Sequence, residues 1–133
     1  MSTSFTMEYL GDHIRIQHPS NYEITPESQE QLWLALGEAC ENYNCCRVLA
    51  ESSTPPKRNM TQVDAFRSAG QAAKATKASG KLRLAILFKG YNPDKTTEFF
   101  MNSAYNMGVR IEFFSDRNEA VKWLGINDDL TSQ

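Results

Sequence analysis

The sequence predicts an α/β domain. Its sheet is mixed and five-stranded, an N-terminal antiparallel hairpin followed by parallel strands. About four helices complete the order β-β-α-β-α-β-α-β-α. Three observations carry this. Two short alternating runs flank Gly11-Asp12. Three almost wholly apolar runs lie further along, CRVLAE, LRLAILF and VRIEFF. Segments of helical periodicity separate them, each opened by a capping residue.

In the first run Phe5, Met7 and Tyr9 oppose Thr6 and Glu8; in the second Ile14 and Ile16 oppose Arg15 and Gln17. A Gly-Asp break between alternating runs reads as a β-hairpin, because Gly accepts the positive φ of a tight turn. Thr25-Pro26-Glu27 opens the first helix: Thr caps, Pro fits the first turn and Glu suits the positive end of the dipole. Leu32, Leu36, Ala39, Cys40 and Tyr43 form its apolar stripe, and the helix is expected to end at Asn42–Asn44.

CRVLAE suits a strand buried on both faces. After it comes a polar loop, Ser52-Ser53-Thr54-Pro55-Pro56-Lys57-Arg58. Thr61-x-x-Asp64 then reads as a capping box ahead of an Ala- and Lys-rich helix with a thin apolar face of Val63, Phe66, Ala69/Gly70 and Ala73. LRLAILF is the fourth strand, and Lys89–Pro93 the loop after it. Residues 94–107 form the third helix, with Phe100, Ala104 and Met107 on one side and Phe99 beside them; Gly108 follows as its left-handed stop. VRIEFF is the fifth strand, and Asp116-x-x-Glu119 opens a last helix carrying Ala120, Trp123 and Leu124. One domain is expected over residues 1–126, with residues 127–133 as a flexible tail.

Composition narrows the function classes. The 133 residues carry 14 basic and 16 acidic side chains, a formal charge of −2, which argues against broad nucleic-acid binding. No apolar run reaches the roughly 18 residues of a membrane span. The N-terminus lacks the basic start and apolar segment of a secretory signal. Cys40, Cys45 and Cys46 make neither a disulfide framework nor a zinc spacing, and read as thiols in a reducing cytoplasm. No metal or cofactor is implied. No G-x-S-x-G elbow, HExxH motif or glycine-rich phosphate loop occurs; Gly37, Gly70 and Gly80 fall within or at the ends of helices. His13 and His18 beside the hairpin are expected to be exposed polar residues.

The stretch SAYNMGVRIEFFSDRNEAVKWLGI, Ser103 to Ile126, resembles the C-terminal part of the SpoIIAA-like family. That family is related to STAS domains and, through a fold variant, to Sec14-like CRAL-TRIO lipid-binding domains. The matching residues are Ala104, Asn106, Gly108, Phe114, Asp116, Glu119-Ala120 and Trp123-Leu124. The resemblance implies the fold above more firmly than an activity. In phosphorylation-switched members an acidic residue ends the third strand, and a serine follows at the start of the next helix, where free N–H groups and the dipole receive phosphate. Here Glu51 takes the acidic place and Ser52 and Ser53 follow, but the helix starts later, near Asn59–Thr61, and the compact Asp-Ser-Ser-Gly pattern is absent. The candidate phosphosites are Ser52, Ser53 and Thr61.

Ligands in open α/β sheets gather beyond the carboxyl ends of the strands. Ser52, Ser53, Thr54, Lys57, Arg58, Asn59 and Tyr91 are therefore the candidate ligand- or partner-binding residues, with Ser115 and Asp116 emerging at the same edge. The sequence holds no catalytic set. The expected function is a non-enzymatic, cytoplasmic binding or regulatory module that contacts a protein partner or itself as a homodimer. The alternatives are a carrier of a small apolar ligand or lipid, and a phosphorylation-switched regulator.

Overall fold

Strands with apolar residues on both faces need cover on both sides, and the chain supplies it with helices. In a computed structural model, residues 5–19, 22–52, 57–76, 82–88 and 94–126 are described. Ser53, Thr54, Tyr91 and the tail of residues 127–133 lie outside that set.

The hairpin pairs β1 (Thr6–Tyr9) antiparallel to β2 (Ile14–Gln17), with Tyr9 opposite Ile14. Parallel pairings then join β2 to β4 (Arg47–Ser52), β4 to β6 (Arg83–Phe88) and β6 to β7 (Arg110–Phe114). The sheet has five strands in the order β1-β2-β4-β6-β7, as the sequence predicts. A small parallel pair is added by β3 (Glu23–Ile24) and β5 (Lys57–Arg58). That pair corrects the reading of Lys57 and Arg58 as open loop. Their backbone is tied to the segment before the first helix, and the Asn59 N–H donates to the Ile24 carbonyl at 2.8 Å.

Among the described residues the helices are α1 (Pro26–Tyr43), α2 (Gln62–Ala75), α3 (Lys95–Asn106) and α4 (Arg117–Leu124). Their starts are chemical. Thr25 and Thr61 cap α1 and α2 in reciprocal boxes with Ser28 and Asp64, while Asp94 and Asp116 accept from the Thr97 and Asn118 N–H groups. The helix α1 stops at Asn44 in the left-handed region, and Gly108, at φ +90°, follows α3.

One face of the sheet, carrying Ile14, Ile16, Val48, Ala50 and Leu84, packs under α1, α2 and α3. The other, carrying Leu49, Ala85 and Leu87, packs against Ala120 and Leu124 of α4 and against Ile126. Trp33 is the largest fully buried side chain on the three-helix side, and its indole N–H donates to Ser68 Oγ at 2.8 Å. It stands in the α1 stripe where the sequence reading had Tyr43. Tyr43 is instead exposed and stacked on Tyr9, at 4.7 Å between ring centroids.

The helix α2 is turned relative to expectation. Its buried side chains are Ala65, Ser68, Ala69 and Ala72; Ala69 is inward as expected, while Val63 and Phe66 face outward. Both the expected and the observed sets fit a helical period, so periodicity does not choose between them. Space chooses: α2 lies between α1 and α3, and a Cβ built on Gly37 of α1 would overlap the Ala75 carbonyl oxygen of α2. At that separation only small side chains fit the seam.

We expect Gly37→Ala to destabilise the fold by roughly 2–3 kcal/mol, because the obstacle is backbone and cannot rotate away. Urea denaturation measures it. An unchanged midpoint would show that the α1–α2 seam has slack.

Candidate functional site

Alternation along β2 sends Arg15 and Gln17 to the α4 side of the sheet, and Ile14, Ile16 and His18 to the three-helix side. The parallel register sets Gln17 beside Glu51, the penultimate residue of β4, and Arg15 one diagonal step away. Glu51 Oε2 accepts from Arg15 Nε at 2.6 Å, and Oε1 accepts from the Arg117 guanidinium at 2.5 Å. One carboxylate thus ties β2 to β4 and to the first residue of α4. These side chains are only 14–25% exposed, so the contacts are screened less than a surface ion pair.

The clamp forms part of the wall of an open cleft of about 600 Å³ at the carboxyl edge, lined also by Gln17, His18, Ser52, Leu87, Ser115 and Asp116. Asp116 is the cap of α4. Each cleft carboxylate is therefore engaged by the protein: Glu51 by two arginines, Asp116 by the Asn118 N–H.

His18 departs from expectation, as does His13. Both are buried, His13 at 1% and His18 at 9% exposure. His13 is held in the hairpin turn by Asp12, with Nδ1 and Oδ1 2.7 Å apart. The His18 N–H extends the β2–β4 ladder by donating to the Glu51 carbonyl at 2.9 Å. Its ring is stacked on Tyr22 at 4.0 Å and meets the edge of Phe5 at 6.0 Å. Burial pushes its pKa down from 6.5 to about 4, so the ring is neutral near pH 7. The same burial raises the Tyr22 phenol above its ordinary value.

His18 also lines a second space, a largely apolar cavity of about 60 Å³ on the three-helix side. Leu32 and Trp33 of α1, Ala65 of α2 and Phe100 of α3 close it over Ala50, Leu84, Ile86 and Phe88. The two spaces therefore share one side chain between them.

Of the residues singled out from the sequence, Ser52 lines the cleft but is only 6% exposed. Asn59 is exposed and lies beyond the cleft wall. Thr61 is exposed, and its hydroxyl accepts from the Asp64 N–H at 3.1 Å. Lys57 and Arg58 enter through their backbone in β5. Ser115 and Asp116 reach the cleft as expected. Arg15, Gln17, His18 and Arg117 were not singled out. Alternation announces the face that Arg15 and Gln17 occupy, whereas the register that brings them to Glu51 is a tertiary fact. No group of three or more His, Cys, Asp or Glu side chains among the described residues is arranged to hold a metal ion. No helix among them is long and apolar enough to cross a membrane.

A solved structure shares this fold. The anti-sigma factor antagonist SpoIIAA, in its unphosphorylated form, superposes on 94% of this chain and 100% of its own, with a TM-score of 0.54 and 14% sequence identity. The fold is that of SpoIIAA. An uncharacterized DUF3478-family protein with a SpoIIAA-like fold, from Shewanella loihica PV-4, is 21% identical over 92% of this chain and 93% of its own, with a TM-score of 0.49. No family model matches the chain, and no curated protein sequence matches it. The resemblance carried by Ser103–Ile126 therefore holds at the level of the SpoIIAA-like fold, with its mixed sheet and four helices.

The buried His18 makes stability depend on pH in a defined direction. Below pH 6.5 an unfolded His18 takes up a proton that the folded ring refuses until about pH 4, so stability falls as pH drops through that window. The full loss is roughly 3 kcal/mol. Denaturation of the wild type and His18→Phe across the window isolates the effect: the wild type should lose that much more than the variant. Parallel curves would show that the ring is protonated in the fold.

Proposed function

We propose that this chain is a non-enzymatic regulatory binding module that works by protein contact at the carboxyl edge of its sheet. The observation that carries this reading is a set of large apolar side chains left in solvent there. Val63 is 65% exposed, Phe66 51% and Phe99 38%. Val63 and Phe66 sit in the first turns of α2, and Phe99 early in α3. Both helices start beyond the carboxyl ends of the strands they follow, so the three residues share one end of the α2–α3 pair. The Phe66 and Phe99 rings lie 6.4 Å apart.

Full burial of such a side chain is worth about 1.5–3 kcal/mol, so three adjacent ones give a partner a strong anchor. The capped starts of α2 and α3, at Thr61 and Asp94, supply hydrogen-bonding groups at the same end of the helix pair, as an interface rim does. The internal pairing of the cleft carboxylates also suits a rigid contact surface better than proton transfer. SpoIIAA is itself an anti-sigma factor antagonist, and the shared fold supports a regulatory role of that general kind. The occupant is a protein partner or a second copy of this chain, met in the cytoplasm.

A second reading, the phosphorylation-switched regulator, is favoured by Thr61. It is an exposed hydroxyl at the N-cap of a fourteen-residue helix, where a phosphate would meet unpaired N–H groups. Ser52 is the poorer acceptor because it is buried.

Phe66→Asp should leave the denaturation midpoint within about 0.5 kcal/mol of the wild type, since the ring is half in solvent. It should also abolish self-association in sedimentation velocity, or capture of the partner that the wild type retains. A variant that keeps every wild-type association would sink the contact reading. For the switch, intact mass and peptide mapping of protein from its own source should place one phosphate on Thr61 or Ser53. Unmodified residues under several growth conditions would remove it.

A further inference from the structure

The apolar cavity beneath α1, α2 and α3 has a feature that core packing alone does not explain. The Nδ1 atom of His18 is cut off from solvent and meets no hydrogen-bonding partner among the described residues. The rest of the ring is well provided for by Tyr22 and Phe5. An unmatched buried polar atom costs about 1–3 kcal/mol. An apolar ring of similar shape would fill this place without that penalty.

We propose that the cavity is a binding site for a small, compact, mainly apolar molecule bearing a single N–H or O–H donor, seated with that donor on His18 Nδ1.

The chemistry of the occupant follows from the walls. A buried N–H without an acceptor is rarer in proteins than an under-used acceptor, so the neutral ring keeps its proton on Nε2 and Nδ1 offers a lone pair. The occupant must therefore donate. Leu84, Ile86, Phe88, Phe100 and Phe113 make most of the wall apolar, and Thr96 and Thr97 at the start of α3 add two hydroxyl side chains to the lining. At the His18 end the Tyr22 hydroxyl already donates to Gln29 Oε1, at 3.0 Å.

Size sets the other limit. About 60 Å³ exceeds the roughly 10–15 Å³ that one water requires. It falls well short of the roughly 300 Å³ where drug-sized pockets begin. A lipid chain therefore does not fit this conformation, and the occupant is about the size of a five-membered ring. This inference goes beyond the contact reading and does not depend on it. The cavity lies beneath the helices, whereas the proposed contact lies on their outer surface.

Pyrrole and furan test it, because they have nearly the same shape and only pyrrole carries a donor. The full chain is titrated with each near pH 7, following the ¹⁵N resonance of His18 Nδ1. Pyrrole should bind saturably, move that resonance and bind about 10-fold more tightly than furan, the equivalent of one net hydrogen bond. In His18→Phe the two ligands should bind within about 2-fold of each other. Ala65→Leu, which fills the cavity from α2 and leaves His18 in place, should exclude both, and it serves if the phenylalanine variant does not fold. Equal affinities in the wild type, a preference for furan, no saturable binding, or pyrrole binding that survives Ala65→Leu would each overturn the proposal.

Discussion

The parallel pairing of β2, β4, β6 and β7 is the constraint from which the rest of this molecule follows. Strands that run the same way deliver the chain to the same edge each time, and a crossover must carry it back. Each of the four helices therefore begins at that edge, which is why the capping residues Thr25, Thr61, Asp94 and Asp116 gather there despite their separation in sequence. The cleft forms where these exits leave a gap. Glu51, two arginines and the cap of α4 meet in it because topology brings them together.

Much of this was legible in the sequence because it is written in local chemistry. Thr25-Pro26, Thr61-x-x-Asp64 and Gly108 mark boundaries through backbone hydrogen bonds and φ, which need no tertiary partner. The apolar runs around Val48–Ala50 and Leu84–Leu87 reveal burial on two faces by losing alternation. What was not legible depended on neighbours. The inward face of α2 was misjudged at Val63 and Phe66, the more hydrophobic residues, whereas the space available admits Ala65 and Ala72 beside the expected Ala69. His13 and His18 were expected in solvent, and only the folded hairpin with Asp12, Phe5 and Tyr22 explains their burial. The candidate site was legible as an edge and as Ser52, Ser115 and Asp116. Its charged clamp depends on a register that no local pattern encodes.

The alanine seam and the buried tryptophan are two halves of one packing solution. Small residues on α2 let α1 come close, as the crowding at Gly37 shows. The volume they give up is taken by Trp33, whose indole finds Ser68 on that same thin face. The cavity lies between the helices and the sheet, beside Trp33 and Phe100, whose rings stack at 6.3 Å.

The two outer strands differ in a way that bears on how copies of this chain can meet. On β7 the exposed positions are Arg110 and Glu112, and the strand is only five residues long. On β1 the strand is shorter still, at four residues. Short edges with charged side chains are poor templates for a further strand. Growth by sheet extension, the route to fibres, is thereby discouraged at both ends. Association through the rings on α2 and α3 engages side chains instead of backbone. It can close on itself and stop, so this geometry favours finite assemblies over open-ended ones.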